Sequence, residues 1–367
     1  MDELFPSGRL ERIELVRVCV PLVDPMVSAH GVEHDRWSIL VRAVGVDGVE
    51  GWGECPALAA PTYTHEWHEG AWMVLLHHLA PAALAGRAAG VRGHPMATAA
   101  LEGALIDLEL RRRGTSLAEA IGAVRSSVPS CAVLGVGSGV DEVVAAVERR
   151  LAAGVRAVKL KIRPGWDLEP LEAVRDRWPD LWLAADANGS YEGVGVGGLS
   201  HLDDLGLAYL EQPLAPDDLV GTGRAAAELS TPIALDESAT GLGAVAAALA
   251  LGPVGAVNLK PARLGGIVAC LDLHEMLVGR GVAMWCGGML ELGIGRAAAL
   301  AVAALPGCGL PTDLGPSSAY VAADITTVPV ELDDQGALAV PDGPGIGREP
   351  DPDRLEDVTV ARRTIGG

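Results

Sequence analysis

The chain contains VKLK (158–161), LWLAAD (181–186), LAYLE (207–211), IALD (233–236) and AVNLK (256–260). Each is a short apolar run ending in a charge, namely Lys161, Asp186, Glu211, Asp236 and Lys260. Successive charges stand 25 residues apart, with 24 for the last step. That interval accommodates one short strand, a loop, a helix and a second loop. A charge recurring at this period, always at the C-terminal end of the run, predicts consecutive strands of a parallel barrel, whose active site is built on the C-terminal face. Three adjacent strands would bring three carboxylates to one point, with a lysine on either side. Such a set suits a divalent metal flanked by two acid/base groups.

Working outward, short apolar runs alternate with amphipathic helices from Ser127 onward. Strands are expected at 130–135, 156–162, 181–186, 207–211, 232–236, 256–260, 283–286 and near 309–313. Strand–helix alternation implies βαβ units and a parallel sheet. The fold predicted for 126–320 is therefore α/β, a (β/α)7β TIM-like barrel. A doubly wound open sheet is the alternative, but it explains poorly why consecutive strands end in catalytic residue types. Residues 1–125 read as an α+β capping domain. Its strands lie in LERIELVRVCVPL and WSILVRAVGVDGVEGWGEC, with a DG turn, and helices follow over 66–125, one stopping at Gly114. The segment 321–367 returns to β-type sequence and is expected to pack back on the capping domain.

The 367 residues are 49% hydrophobic, ample for a large core, but only 4% aromatic with a single Phe, so Ala, Leu and Val must fill it. The net charge of −20 argues against binding nucleic acid or an anionic membrane surface. The six cysteines form no C-x-x-C pair and no zinc spacing, which predicts buried, reduced thiols in a cytoplasmic protein. MDELFPSGRLER has no basic region followed by an apolar stretch, and the Ala-rich runs are too short to span a bilayer. The partners expected are a small-molecule carboxylate substrate and further copies of the chain as a homo-oligomer, with no nucleic acid and no membrane.

Buried carboxylates at strand ends need cations, because an isolated buried charge is too costly. Alone, Asp186, Glu211 or Asp236 reads as a helix cap or an arginine partner; three in register on successive strands read as metal ligands. An all-oxygen set favours Mg2+ over Zn2+, with Mn2+ as a substitute. Lys159 and Lys161 are i and i+2 on a strand and point to one side. Lys161 is the expected base, and Lys159 is expected to lower its pKa. Lys260, with three strands between, would approach a substrate from the opposite side. Weaker signals are Asn188 beside Asp186, Glu237 as a lysine partner, and Gly287, Gly288 and Met289 in CGGM, where glycines allow close backbone approach. GIGRAAAL offers helix N–H groups to a carboxylate. No Walker sequence is present.

These motifs carry a resemblance. KLK, DANGSY, EQPL, LDES, NLKPARLGG and WCGGMLELGIGRAA resemble the strand-end motifs of the enolase superfamily, muconate-lactonising-enzyme subgroup, over essentially the whole chain. The nearest pattern is that of the group containing o-succinylbenzoate synthase and N-acylamino acid (N-succinylamino acid) racemase, through WCGGM, Arg263 and PGWDLEPLEAVR. Mandelate-racemase relatives would carry a His base where this chain has WCGG. The resemblance implies proton abstraction α to a carboxylate and an enediolate stabilised by Mg2+. It implies Asp186, Glu211 and Asp236 as ligands, Lys161 as base and then acid, and Lys260 as charge stabiliser or second acid/base. The chain departs from the family at Glu291-Leu292-Gly293, where ETG is common, and at PMVSAHGVEH in the first capping loop. Shielding the intermediate from water falls to that loop, Met26–His34, which is expected to be mobile, and to Ala57–Glu66 with Tyr63. Met26 and Tyr63 are expected to touch the distal part of the substrate.

Overall fold

The computed structural model describes residues 4, 8–28, 31–137 and 139–366. In chain order its strands are β1 (Leu10–Ser28), β2 (Gly31–Gly45), β3 (Glu50–Cys55), β4 (Ser127–Pro129), β5 (Cys131–Leu134), β6 (Ala157–Lys161), β7 (Trp182–Asp186), β8 (Leu210–Glu211), β9 (Ile233–Leu235), β10 (Ala256–Leu259), β11 (Ala283–Cys286), β12 (Ala337–Ala339) and β13 (Thr359–Gly366). Strands β5 to β11 form one parallel sheet in which sequence neighbours are spatial neighbours throughout. That order is what a chain of βα units gives when each helix returns over the outside. The two edges of the curled sheet are joined through 310–312. Leu310 N donates to Met284 O at 3.4 Å, and Cys131 N donates to Thr312 O at 2.7 Å.

The eighth strand expected near 309–313 is thus reduced to a single parallel bridge between Ser130 and Thr312. Pro311 has no N–H to give a ladder, and Gly309 precedes it. The 207–211 run likewise shrinks to the two residues of β8, which lies between Gly206 and Pro213.

The second sheet is antiparallel, in the order β13-β1-β2-β3. Helix Pro95–Arg113 crosses it and ends at Gly114, whose φ of 67° is the left-handed C-terminal cap that the sequence predicts. The GWG of β3 is explained by the same helix. A Cβ on Gly53 would lie 2.0 Å from Ala100 O, and one on Gly51 2.2 Å from Ala104 O. Only glycine lets sheet and helix backbones come this close.

Three glutamates, Glu54 and Glu66 buried and Glu102 half-buried, join helix starts to distant elements. Glu66 accepts from Met96 N and Ala97 N at 2.7 and 2.9 Å. Glu102 accepts from Val268 N at 3.1 Å, at the start of helix Ile267–Arg280. Glu54 of β3 accepts from Leu292 N and Gly295 N, both at 2.8 Å, at the start of helix Gly293–Ala303. A carboxylate suits the positive end of a helix. Burial nevertheless dominates these donors and pushes each of the three up to about 7. An unfolded glutamate titrates near about 4.3. Between these values the folded chain holds protons that the unfolded chain has released. The stability contribution is complete below about pH 4.3 and is lost as pH rises through 7. His68, held down to about 4 by burial, opposes this only below about pH 6.5. The thermal midpoint should therefore fall between pH 6 and 8, and Glu102→Gln should flatten the fall. A midpoint that climbs steadily over this window would contradict the assignment.

Candidate active site

Strand register brings the predicted charges together. Lys161 pairs with Asp186, and Asp186 with Glu211. Glu211 pairs with Ala234, so Asp236 stands two residues beyond it at the end of β9. Lys260 follows β10 directly. These residues, with Lys159, Tyr63, Asn188, Gly288, Met289 and Asp313, line a cavity of about 520 Å3.

Within the cavity, acids and bases alternate. Lys161 Nζ lies 2.9 Å from Asp186 Oδ2 and donates to Asn188 Oδ1 at 2.5 Å. Lys159 Nζ lies 2.6 Å from both Glu211 Oε2 and Asp313 Oδ2. Lys260 Nζ and Arg263 hold the two oxygens of Asp236, at 2.9 and 2.5 Å. Tyr63 Oη donates to Asp236 Oδ2 at 3.2 Å. Asp186, Glu211 and Asp236 are all buried. Burial works to raise Asp186 and Asp236, but Lys161 and Lys159 outweigh it at the first, and Arg263 and Lys260 far outweigh it at the second. At Glu211 burial prevails, helped by Asp186 and Asp236, and the carboxyl sits well above the usual range despite Lys159.

Lys159 is a correction to the sequence reading. It is not a bare ammonium beside Lys161 but is ion-paired on two sides. Burial alone would lower its own pKa, but Asp313 and Glu211 clasp it and hold it well above the ordinary lysine value. Lys260 is likewise raised, because Asp236 outweighs burial. At both Lys159 and Lys260 the neighbouring carboxylates outweigh desolvation.

Backbone strain gathers at the same place. Asn188, Gln212 and Leu290 are the non-glycine residues with positive φ among the described residues, at 42°, 37° and 59°. Gln212 follows Glu211, and its Oε1 accepts from Asp236 N and Ser238 N at 3.1 and 3.0 Å, which pins the turn that presents Asp236. Asn258 opens NLKPARLGG, but the motif alone gives it no role. It lies two residues before Lys260 on the same strand, and its Nδ2 donates to Glu211 Oε1 at 3.3 Å. That i, i+2 relation is the signal from which it could have been found.

The other expected contacts fall as follows. Arg263 is buried and spent on Asp236, Ala239 O and Asn258 O, so it braces a carboxylate and does not line the cavity. Glu237 pairs with Asn188 Nδ2 at 2.9 Å, not with a lysine. Gly287 has no room for a side chain, since a Cβ would lie 2.5 Å from Asn258 Oδ1 and from Asp313 Oδ1. Glu291 turns back to accept from Met289 N at 2.7 Å and shapes the loop from behind. The GIGRAAAL helix start is filled by Glu54, so it offers nothing to a ligand. Tyr63 meets the carboxylate end of the cavity through Asp236, not the distal end.

The first capping loop is also different from expectation. The strands continue as a hairpin arm, with Met26 opposite Glu33 and Ser28 opposite Gly31. Ala29 and His30, and the side chain of Met26, lie outside the described residues. The part of the arm that lines the cavity is Leu22, Asp24 and Pro25, at an irregularity in the pairing, where Val23 N donates to Tyr320 O at 2.8 Å.

The donor set fits a hard divalent cation. No three His, Cys, Asp or Glu side chains among the described residues are drawn closely enough together to hold a metal as they stand. The lysines and Arg263 hold the carboxylates instead. But three buried carboxylates on consecutive strands are oxygen-only donors, and Glu211, raised by burial and by its acidic neighbours, is the group a cation would relieve.

Residues 12–122 match the mandelate racemase/muconate lactonizing enzyme N-terminal domain, and residues 142–354 match the enolase C-terminal domain-like family. The chain belongs to the enolase superfamily. Members generally work with a divalent metal, typically Mg2+. Among relatives of this enolase-superfamily chain, an N-succinylamino acid racemase from Amycolatopsis sp. is 42% identical, covering 98% of this chain and all of the relative. An o-succinylbenzoate synthase from Geobacillus kaustophilus is 39% identical, covering 95% of this chain and 96% of the relative. A probable mandelate racemase from Alicyclobacillus acidocaldarius superposes with a TM-score of 0.90 at 39% identity, covering 97% and 99% of the two chains. No helix among the described residues is long and apolar enough to cross a membrane.

Proposed function

We propose that this chain removes a proton α to a carboxylate, and that its reaction is the dehydration of 2-succinyl-6-hydroxy-2,4-cyclohexadiene-1-carboxylate to o-succinylbenzoate, a step towards menaquinone. The observation that carries this reading is the placement of Lys161 and Lys260 beyond opposite ends of the Asp186–Glu211–Asp236 row in one cavity. Asp186, Glu211 and Asp236 would hold one Mg2+, or Mn2+ in its place, which when bound stabilises negative charge developing on the substrate carboxylate. Lys161 takes the α proton. It then gives that proton to the departing ring hydroxyl, so that water leaves and the ring becomes aromatic. Lys260 stands across the cavity and stabilises the enediolate by its charge. Leu22, Asp24 and Pro25 of the hairpin arm, with Leu58, line the cavity and limit entry of water.

Racemisation of N-succinylamino acids is the second reading, favoured by the 42%-identical Amycolatopsis relative. Here the lysine opposite the base returns the proton to the other face. The same side chains serve both reactions. A cytoplasmic, homo-oligomeric protein is part of the proposal, supported on the first count by six unpaired thiols, five of them buried. The test is turnover by purified protein with Mg2+, using the cyclohexadiene substrate and a panel of N-succinyl and N-acetyl amino acids. Dehydration supports the first reading, and racemisation alone replaces it with the second. No turnover of either class overturns both.

A further inference from the structure

We infer that Glu237 is a positioning residue for Lys161, acting through the side-chain amide of Asn188. Lys161 Nζ donates to Asn188 Oδ1 at 2.5 Å, and Asn188 Nδ2 donates to Glu237 Oε1 at 2.9 Å. A primary amide accepts at one end and donates at the other. Turned by half a rotation, this amide would aim N–H groups at an ammonium and its oxygen at a carboxylate, and both contacts would repel. Glu237 thus selects the orientation in which Asn188 can accept from Lys161.

Two further observations support the relay. The Asn188 backbone is held at φ 42°, and its N–H donates to Asp186 Oδ1 at 3.1 Å, so the side chain starts from a fixed point. Glu237 is buried, its other oxygen has no hydrogen-bonding partner among the described residues, and it does not line the cavity. A buried acid half unsatisfied is costly where packing alone would suffice. Among the described residues, Lys161 is otherwise tethered only by Asp186 Oδ2. A bound cation would compete for that carboxylate, leaving Asn188 to hold Nζ. Among the described residues Lys260 has no such amide; Asp236 holds it directly.

This inference rests on the reading of Lys161 and Lys260 as acid/base groups on opposite faces, and the asymmetry supplies the test. Exchange of the α-hydrogen in D2O is followed by NMR with the Mg2+-loaded enzyme, separately for each enantiomer of an N-succinyl amino acid. Lys161→Ala and Lys260→Ala first assign one enantiomer to each lysine. Glu237→Met, which removes the acceptor, should slow exchange of the Lys161 enantiomer about tenfold or more, since misplacing a reacting group by about 1 Å costs on the order of 10²-fold. Exchange of the Lys260 enantiomer should stay within about twofold of wild type on the same argument. Glu237→Gln keeps an acceptor oxygen and should restore most of the loss. Asn188→Gly should reproduce the one-sided loss, and it tolerates the positive φ should the Met variant not fold. With the cyclohexadiene substrate the same variants are read as kcat at unchanged KM. Equal loss on both faces would show action through Asp236 and overturn the relay, as would no loss. If the two lysine variants fail to divide the enantiomers, the acid/base reading falls first and the relay with it.

Discussion

Glu211→Gln should abolish turnover while leaving the fold at least as stable as wild type. Its carboxyl is fully buried and pushed well above the ordinary range, so a neutral amide of the same shape suits these surroundings better than the anion does. Lys159 keeps Asp313 as a partner. What the variant loses is a negative oxygen for the cation. Asp236→Ala should abolish turnover for the same reason but at a cost in stability. It strips the shared partner from Lys260 and Arg263, and breaking a buried ion pair from one side typically costs about 3–5 kcal/mol. Turnover with and without exhaustive chelation, set beside chemical denaturation of both variants, separates the two effects. Retained turnover in Glu211→Gln, or full wild-type activity after chelation, would sink the metal assignment.

Lys161→Ala should remove dehydration and racemisation alike, with a loss of about 10²–10⁴-fold or more from general acid/base catalysis. Lys260→Ala should remove racemisation but only weaken dehydration, because there it stabilises charge and moves no proton. Arg263 still pairs with Asp236 in that variant, so the site should persist. Racemisation at the wild-type rate by Lys260→Ala would show that one lysine serves both faces. Lys159 belongs to a different class. Lys159→Met would leave Glu211 and Asp313 facing each other without the cation between them, so its main effect should be on stability and metal binding.

The site was legible where chemistry follows strand period. Lys161, Asp186, Glu211, Asp236 and Lys260 end successive apolar runs, and a parallel sheet in sequence order brings such ends together. Pairings made across long separations in sequence were not legible. Nothing in LDES and NLKPARLGG says that Arg263 is consumed by Asp236, and nothing in GWGEC says that Glu54 fills the helix start at Leu292. No period marks Leu22, Asp24 and Pro25 as cavity lining either, since they sit at a break in strand pairing. The eighth strand near 309–313 is weaker than the strand period implies, because Pro311 has no N–H to give a ladder.

The sheet that carries the hairpin arm takes β1 from before the barrel and β13 from after it, with Arg12 opposite Gly366. During synthesis on the ribosome, β1 therefore emerges long before its neighbour exists. The nascent chain must shield that open edge until the whole barrel has been made. Early release just short of β13 would leave a complete catalytic row beside an unpaired strand, a species prone to association with its own copies. The same adjacency recommends the molecule for circular permutation, with β13 joined directly to β1 and new ends opened in an exposed barrel loop.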